Sequence, residues 1–257
     1  MYLADHAWPD LEAYFDRESL ALLPVGATEQ HGPHLPEGTD AYIAEALARE
    51  AADRTGYLCT PTVRVGVSPH HRQYHGTMWA DAPAFRAYLE SITGNLAEHG
   101  IDRVVFVNAH GGNVEHLYEV GRTLRAADGP YAIPWMWDES IPELVDELFE
   151  HNGPHGGPKE TAMLQHLHPE LVHDDRLEAA RDGGTLELAS LDGAFVAGAR
   201  TFYDNTEISD NGVFGDQTDA TAEKGRRLFE AATDQLVELC EWLAGRPAAA
   251  LRPDEHV

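Results

Sequence analysis

Residues 103–107 read Arg-Val-Val-Phe-Val and carry the clearest buried-strand pattern of the chain. Four of the five are β-branched or aromatic, the residue types enriched in strands, and a short apolar run of this kind is typical of a buried strand. The strand leads directly into a polar segment, residues 108–113, and then into a helix that is predicted to end near residue 127. This arrangement favours the strand–helix units of an α/β fold.

Other segments repeat the same alternation of strand and helix. Short apolar runs predict further strands, and apolar residues at helical spacing predict further helices. The predicted strands are residues 20–25, 58–67 and 132–136, and the predicted helices are residues 40–54, 83–98, 161–167 and 220–243. Strands that alternate with helices of this length indicate a mostly parallel sheet. The prediction is an α/β fold with one domain, residues 1–245, and a loose Pro- and Ala-rich tail, residues 246–257.

Composition excludes several classes of protein. The chain has 257 residues and only two cysteines, Cys59 and Cys240, so a disulfide framework and a cysteine-rich zinc module are excluded. No apolar run approaches the roughly 18 residues of a membrane span. The N-terminus has neither the basic start nor the apolar core of a signal peptide. We therefore expect a soluble cytoplasmic protein with no membrane partner.

The charge balance is strongly acidic. Asp and Glu number 44 against 18 Lys and Arg, which gives a formal net charge of −26. Such a charge repels phosphate backbones, so a nucleic-acid partner is not expected. Self-repulsion destabilises the folded state unless salt screens it, as it does at about 1 M, where the Debye length is about 3 Å. We expect a salt-rich cytoplasm, and the alternative is an ordinary acidic cytosolic protein.

Two clusters of potential metal ligands follow predicted strands. In the first, Glu29 and His31 are two residues apart, which places both side chains on one side of an extended chain. Asp40 then opens a helix, where it could bridge metals or simply complement the helix dipole. In the second cluster, His110 ends the strand 103–107 and precedes two glycines. The alternative for His110 is a core histidine in a tight turn.

A third cluster combines His155 with Glu160, and the loop of residues 66–77 carries three further histidines. Glu160 could be an ordinary first-turn acid of its helix. Parallel sheets bind ligands at the carboxyl ends of their strands, where these clusters fall. Zn²⁺, Fe²⁺ and Mn²⁺ accept mixed imidazole and carboxylate ligands, and a site without thiolates is of the catalytic type. Two such ions can activate a shared water for attack on an amide carbonyl.

Taken together, these segments resemble the creatininase family of metal-dependent amidohydrolases. The run Pro-Val-Gly-Ala-Thr-Glu-Gln-His-Gly-Pro-His-Leu-Pro at residues 24–36, followed by Thr39 and Asp40, carries most of the resemblance. Further matching blocks lie at residues 66–77, 108–113, 155–161 and 212–225, in the family's order. The resemblance implies a three-layer α/β fold, a mostly parallel sheet flanked by helices, and a homo-oligomer, often a hexamer.

The resemblance also implies a centre of two divalent metal ions (Zn²⁺, Fe²⁺ or Mn²⁺). Glu29, Asp40 and His110 would hold one ion, and His31 with the bridging Asp40 would hold the other. His155 resembles the acid/base histidine of the family. Glu160 would be a further metal ligand, or it would orient the bridging water. As catalytic residues the resemblance therefore implies His155 and Glu160.

One departure bears on the substrate. Creatinine-cleaving members carry a metal-binding glutamate two residues after the histidine of the third block, where this chain has Gly112. Creatinine is therefore in doubt, and Glu160 is the expected replacement ligand. The family also contains a deformylase of riboflavin and deazaflavin biosynthesis, and a peptidase that trims a redox-cofactor precursor peptide.

Among these activities we expect hydrolysis of a non-peptide C–N bond in a small molecule. The substrate would be the formylated aminopyrimidine ribotide, 2-amino-5-formylamino-6-ribosylaminopyrimidin-4(3H)-one 5'-monophosphate. Arg72 or Lys159 would then bind its phosphate. The alternatives are creatinine amidohydrolase and a non-catalytic metal-binding member of the family.

Overall fold

A four-stranded parallel sheet forms the centre of the computed structural model, which describes residues 1–181, 195–196, 199–200 and 202–251. The strand order is β2-β1-β3-β4, with β1 at Leu20–Val25, β2 at Leu58–Cys59, β3 at Arg103–Asn108 and β4 at Tyr131–Met136. Strands β1 and β3 pair along their whole length, from Leu20 opposite Arg103 to Val25 opposite Asn108. The polar segments that follow these two strands therefore leave the sheet side by side.

Helices cover both faces of the sheet. They are α1 (Trp8–Phe15), α2 (Thr39–Thr55), α3 (Ala82–Glu98), α4 (Val114–Ala126), α5 (Pro142–Leu148), α6 (Pro158–Leu167), α7 (Leu177–Ala180) and α8 (Ala222–Ala244). Helices α2, α6 and α8 pack on one face, while α1, α3 and α4 pack on the other. A short antiparallel pair, β5 (Phe195–Val196) and β6 (Ala199–Arg200), lies outside the main sheet. None of the helices in the described residues has the length and apolarity needed to cross a membrane.

The hydrophobic core is divided by the sheet into two halves, because successive strand residues face opposite sides. Leu22 and Val105 pack with the α2–α6–α8 layer, whereas Leu23 and Phe106 pack with α3 and α4. The predicted α/β class and three-layer sandwich are confirmed.

Gly26 brings the start of α2 against the end of β1. A Cβ at this position would lie 2.4 Å from the backbone nitrogen of Ala41, closer than real contacts allow. Only glycine permits this close approach of two backbones. As a result, Asp40 in the first turn of α2 lies beside the residues that leave β1.

Two predicted segments differ from the structure. The strand predicted for residues 58–67 is limited to Leu58–Cys59 and an isolated bridge between Val25 and Val63, because Pro61 has no N–H to donate to a ladder. The tail predicted to be loose is packed in its first part. Leu251 joins the core beneath α8, and Arg103 donates a hydrogen bond to the carbonyl of Arg246. Residues 252–257 lie outside the described part of the chain.

Candidate metal centre

The carboxyl edge of the sheet gathers ionisable side chains from five parts of the chain. Glu29 and His31 come from the loop after β1, and Asp40 comes from the first turn of α2. His110 follows β3 directly. The loop that follows β2 contributes His71, while Glu160 lies in the first turn of α6 and His155 in the loop just before that helix. Apart from His155, which is partly exposed, these side chains are buried.

Asp40 lies between two imidazoles. Its Oδ1 is 3.0 Å from His31 Nε2, and its Oδ2 is 3.3 Å from His110 Nδ1. His110 Nδ1 is also 3.2 Å from Glu29 Oε1, and Glu160 Oε2 lies 3.9 Å from His31 Nε2. The two oxygens of Asp40 thus face two different groups of ligand atoms, which is the orientation of a bridging carboxylate.

Backbone carbonyls fix the tautomers of three histidines. A carbonyl oxygen can only accept, so the imidazole nitrogen beside it carries the proton. His31 Nδ1 is 3.0 Å from the carbonyl of Glu29, His110 Nε2 is 3.1 Å from that of Val67, and His155 Nε2 is 2.6 Å from that of Gln30. The other nitrogen of each ring therefore presents a lone pair to the cluster. Metal-binding histidines are oriented by hydrogen bonds of this kind.

Carboxylate oxygens in the cluster lack hydrogen-bond donors. Both oxygens of Glu29 and Oδ2 of Asp40 are buried without any hydrogen-bond partner. Burial of an ionised carboxylate is costly unless it is paired or binds a metal. Four sets of three residues each bring ligand atoms within 4.8 Å of one another: Glu29–His31–Asp40, Glu29–His70–His110, Glu29–His71–His155 and His31–His155–Glu160. The described residues therefore fit divalent cations.

His71 differs from the other histidines because it presents a proton. Gln30 Oε1 accepts from the backbone nitrogen of Gly32 at 2.9 Å, which fixes the orientation of the amide. Gln30 Nε2 then donates to the carbonyl of Gly212 at 2.8 Å and to His71 Nδ1 at 2.9 Å. His71 Nδ1 is thus the acceptor, and its Nε2 carries the proton at 3.7 Å from Glu29 Oε1.

The electrostatics of the pocket divide its histidines into two pairs. Against the effect of burial, Asp40 raises the pKa of His31 to about 10 and Glu29 raises the pKa of His110. These two rings therefore lose a proton when they bind a cation.

Burial lowers the pKa of His71 to about 3. Burial, together with His31 and His71, also holds the pKa of His155 well below its usual value. Both rings are therefore neutral at pH 7. Burial raises the pKa of Glu160 to about 7, and its Oε2 accepts a hydrogen bond of 2.6 Å from the backbone nitrogen of Gly156.

Close packing around residue 112 requires glycine at this position. A Cβ there would lie 2.4 Å from both His110 Nε2 and the carbonyl oxygen of Val67. These two atoms are the partners that orient the His110 ring, so a side chain at residue 112 would displace it. The carboxylate of Glu160 instead approaches His31 from the start of α6.

The cluster lines a cavity of about 360 Å³, hereafter the inner cavity. A family model described as creatinine amidohydrolase matches residues 4–240 of the chain. The chain belongs to the creatininase family. Within it, mycofactocin precursor peptide peptidase of Mycobacterium ulcerans (strain Agy99) is 39% identical over 235 residues, which are 87% of this chain and 86% of that protein.

Two further comparisons are with creatinine amidohydrolases. Creatinine amidohydrolase of Pseudomonas putida is 29% identical over 69% of this chain and 75% of its own length. A crystal structure of creatinine amidohydrolase has the same fold, with a TM-score of 0.80 at 24% identity over 96% of this chain and 98% of that one. The resemblance predicted from the sequence is thereby confirmed at the level of family and fold.

The structure brings together every site residue that the sequence suggested. These residues are Glu29, His31, Asp40, His110, His155 and Glu160. Their separate roles as ligands or catalysts stay predictions. Sequence reasoning missed Gln30 and did not single out His71, although the histidine-rich loop of residues 66–77 was a signal.

Proposed function

We propose that this creatininase-family chain is a metal-dependent peptidase that hydrolyses an amide bond of a peptide substrate. The observation that carries the proposal is the set of buried carboxylate oxygens without donors, facing imidazole lone pairs in one cavity. Peptide is favoured as the substrate class because relatives with 35–39% identity are peptide peptidases, whereas the creatinine amidohydrolase relative is 29% identical.

In this proposal Asp40 would contribute a ligand to each of two cation sites. Glu29, Asp40 and His110 would hold one ion, and His31, Asp40 and Glu160 would hold the other. Creatininases of the same fold have been described with manganese and in a zinc–zinc form, and both metals accept this mixture of ligands. When bound, such ions polarise the amide carbonyl and activate a water for attack.

In this proposal His155 moves the proton. Its Nε2–H is held by the carbonyl of Gln30, so Nδ1 is the atom that can accept a proton and return it to the leaving nitrogen. Glu29 Oε1 lies 3.5 Å from Nδ1 and would stabilise the imidazolium that forms. His71 holds its N–H toward the same oxygen and orients that carboxylate.

The narrower prediction of a ribotide deformylase gains no support. A phosphorylated substrate needs free cationic donors, yet Arg72 pairs with Asp204 and Lys159 pairs with Asp138. A deformylase of the family is 26% identical to this chain. We therefore place peptides before the ribotide in the order of expected substrates.

The deciding experiment is a substrate comparison by mass spectrometry in high salt. Metal-loaded protein is incubated with unmodified synthetic peptides, with creatinine and with the formylated ribotide, beside chelator-treated protein as the control. We expect metal-dependent cleavage of peptides only. Turnover of creatinine or the ribotide, with every peptide intact, would overturn the proposal. Metal binding without any hydrolysis would instead identify a non-catalytic member.

The role of His155 has its own test. His155→Gln should retain both metal ions, measured by elemental analysis, while peptide hydrolysis falls by about 10²–10⁴-fold, as expected for a general acid/base. Loss of an ion in this variant would show that His155 is a ligand and not the proton carrier.

A further inference from the structure

A cavity of about 380 Å³ lies at the amino end of the sheet, opposite the candidate metal centre, and is hereafter the amino-edge cavity. Leu20 and Arg103, the first residues of β1 and β3, line it together with Ala244 at the end of α8. Both strands have six residues, so at a rise of about 3.3 Å per residue this edge lies roughly 17 Å from the carboxyl edge. The volume falls within the range of ligand pockets, about 300–1,000 Å³. A ligand bound here is therefore outside the inner cavity.

Positive charge is concentrated at the amino-edge cavity, although the chain as a whole is strongly acidic. Arg17, Arg103 and Arg246 line it, out of 18 lysines and arginines in the whole chain. Glu18 is the one acid among its described lining residues, and Asp102 pairs with Arg103 from outside the lining. Three positive and two negative charges leave a net charge of +1 here, in a chain of formal net charge −26. The cavity therefore suits an anion.

The side chain of Arg103 supplies a buried donor that the protein does not satisfy. Arg103 is only 7% exposed, and its terminal nitrogens donate to Ser19 Oγ, to Asp102 and to the carbonyl of Arg246. Its Nε is buried without any acceptor, which costs free energy for a charged group. Ser19 Oγ accepts from Arg103, so its own proton is left to donate. Acceptors brought by a ligand would offset the cost of the unsatisfied donor.

The other two arginines also keep donors free. Arg17 Nε donates to the carbonyl of Ala13 at 2.9 Å, and no carboxylate of the described chain pairs with Arg17 or Arg246. The guanidinium of Arg246 lies over the ring of Trp242, 3.7 Å from its centroid, which holds it in place. Arg246 also donates to the carbonyls of Trp242 and Leu243, and this weakens the negative end of the α8 dipole beside the cavity.

We propose that the amino-edge cavity is a binding site for an oxyanion, namely the phosphate or carboxylate group of a small molecule. The planar fork of arginine suits such groups because it presents paired donors to two oxygens. Arg103 would hold the anion from the sheet, Arg17 from the segment before β1, and Arg246 from the segment after α8. The bound anion would join three distant parts of the chain and stabilise the folded state by mass action. The site does not depend on the proposed peptidase function.

Calorimetric titration of the metal-loaded protein measures this binding, with inorganic phosphate and acetate as probes against chloride at fixed ionic strength. Arg17→Gln should weaken binding several-fold, and Arg17→Gln combined with Arg246→Gln should weaken it at least about tenfold, because each arginine supplies a charge-assisted hydrogen bond. Arg17→Lys keeps the charge and should recover part of the affinity. Arg122→Gln is the matched control, because Arg122 is exposed on α4 and does not line the cavity, and it should bind like the original protein.

Thermal unfolding gives a second measurement. Phosphate that replaces chloride at equal ionic strength should raise the melting temperature of the original protein and of Arg122→Gln more than that of the double variant. Phosphate also stabilises proteins in general and binds metal ions, but these two effects are the same in every variant. The difference between variants therefore measures the site.

The outcomes decide the proposal. Loss of oxyanion binding in the double variant, with binding kept in Arg122→Gln, supports the site. A response to only one of the two probes supports it as well and identifies the group as phosphate or carboxylate. Equal affinities and equal melting shifts in all variants, or no response of the original protein to either probe, would overturn it. If the double variant does not fold, the comparison of Arg17→Gln with Arg17→Lys and Arg122→Gln decides in the same way, since Arg17 is exposed.

Discussion

Strand β3 begins and ends in polar clusters of opposite character. At its first residue, Arg103 donates to Ser19 Oγ at 2.7 Å and to the Arg246 carbonyl at 2.5 Å, and it pairs with Asp102. Just beyond its last residue, His110 meets Glu29 and Asp40, and both oxygens of Glu29 and Oδ2 of Asp40 are buried without hydrogen-bond donors. At the first cluster both terminal nitrogens of Arg103 join parts of the chain, and Arg103 Nε is the buried atom left without a partner. The second cluster keeps carboxylate oxygens buried without donors, and these are charged acceptors that a bound cation would satisfy.

The contrast predicts that stability and activity are separable along one strand. Changes at the Arg103 end should lower the free energy of unfolding and leave turnover per folded molecule intact. Changes at the His110 end should abolish metal binding and turnover with little cost to the fold.

The largest effect is expected from Glu29→Gln. The amide keeps the shape of the side chain but loses the charge that holds a cation. Mutation of a residue that only orients a metal ligand typically lowers metal affinity or activity by about 10–100-fold. We therefore expect loss of a ligand itself to lower peptide hydrolysis by at least about 10³-fold. Elemental analysis and hydrolysis rates measure metal content and turnover, and thermal unfolding checks that the variant is folded. Retained metal and turnover would contradict the assignment of Glu29.

A smaller effect, on stability alone, is expected from Arg103→Leu. Arg103 is only 7% exposed, and hydrogen bonds to charged groups contribute roughly 1.5–3 kcal/mol each in net stability. Because Asp102 is partly exposed and can be hydrated, we expect a loss of about 2–3 kcal/mol in total, measured by urea unfolding at high salt. Arg122→Leu, at an exposed position of α4, is the control. A fall in turnover per folded molecule would show that the two ends of β3 are not independent.

The fold was predictable where the pattern is local. Continuous apolar runs predict β1 and β3 nearly to the residue. The helix predicted for residues 40–54 corresponds to α2, which ends before Gly56, whose φ of 80° suits glycine. Helix α1 was missed because it buries little. Tyr14 is its buried residue, and Trp8 is 75% exposed, so it lacks a strong apolar face.

The sequence predicts which side chains come together at the site, but not which nitrogen of each histidine carries the proton. Glu29, Asp40 and His110 follow from the rule that ligands gather at the carboxyl ends of parallel strands. The orientation of the Gln30 amide, and through it the tautomer of His71, depends on the carbonyl of Gly212, which lies 182 residues away in the sequence. No local sequence pattern predicts a contact between residues so far apart in the chain.

The smallest effect concerns His34, which lies near the metal cluster yet is not one of its candidate ligands. His34 Nε2–H donates to Thr161 Oγ1 at 2.8 Å, because that hydroxyl gives its own proton to the Gly157 carbonyl at 2.9 Å. Its Nδ1 is buried without a partner, and burial lowers its pKa to about 3 from 6.5. Between pH 6.5 and pH 3, His34 is therefore protonated in the unfolded chain but neutral in the folded protein. Proton binding to the unfolded chain should lower the free energy of unfolding as the pH falls through this range.

At pH 5 the protonation of His34 in the unfolded chain lowers the free energy of unfolding by about 2 kcal/mol, and at pH 8 this effect vanishes. His34→Gln can keep the hydrogen bond to Thr161 through its amide and has no proton to gain. Its unfolding free energy should therefore fall less steeply than that of the original protein between pH 8 and pH 5, at equal metal content. His6→Gln, at an exposed histidine, should leave the slope unchanged. Equal slopes for the original protein and His34→Gln would mean that the acid sensitivity resides in the metal cluster itself.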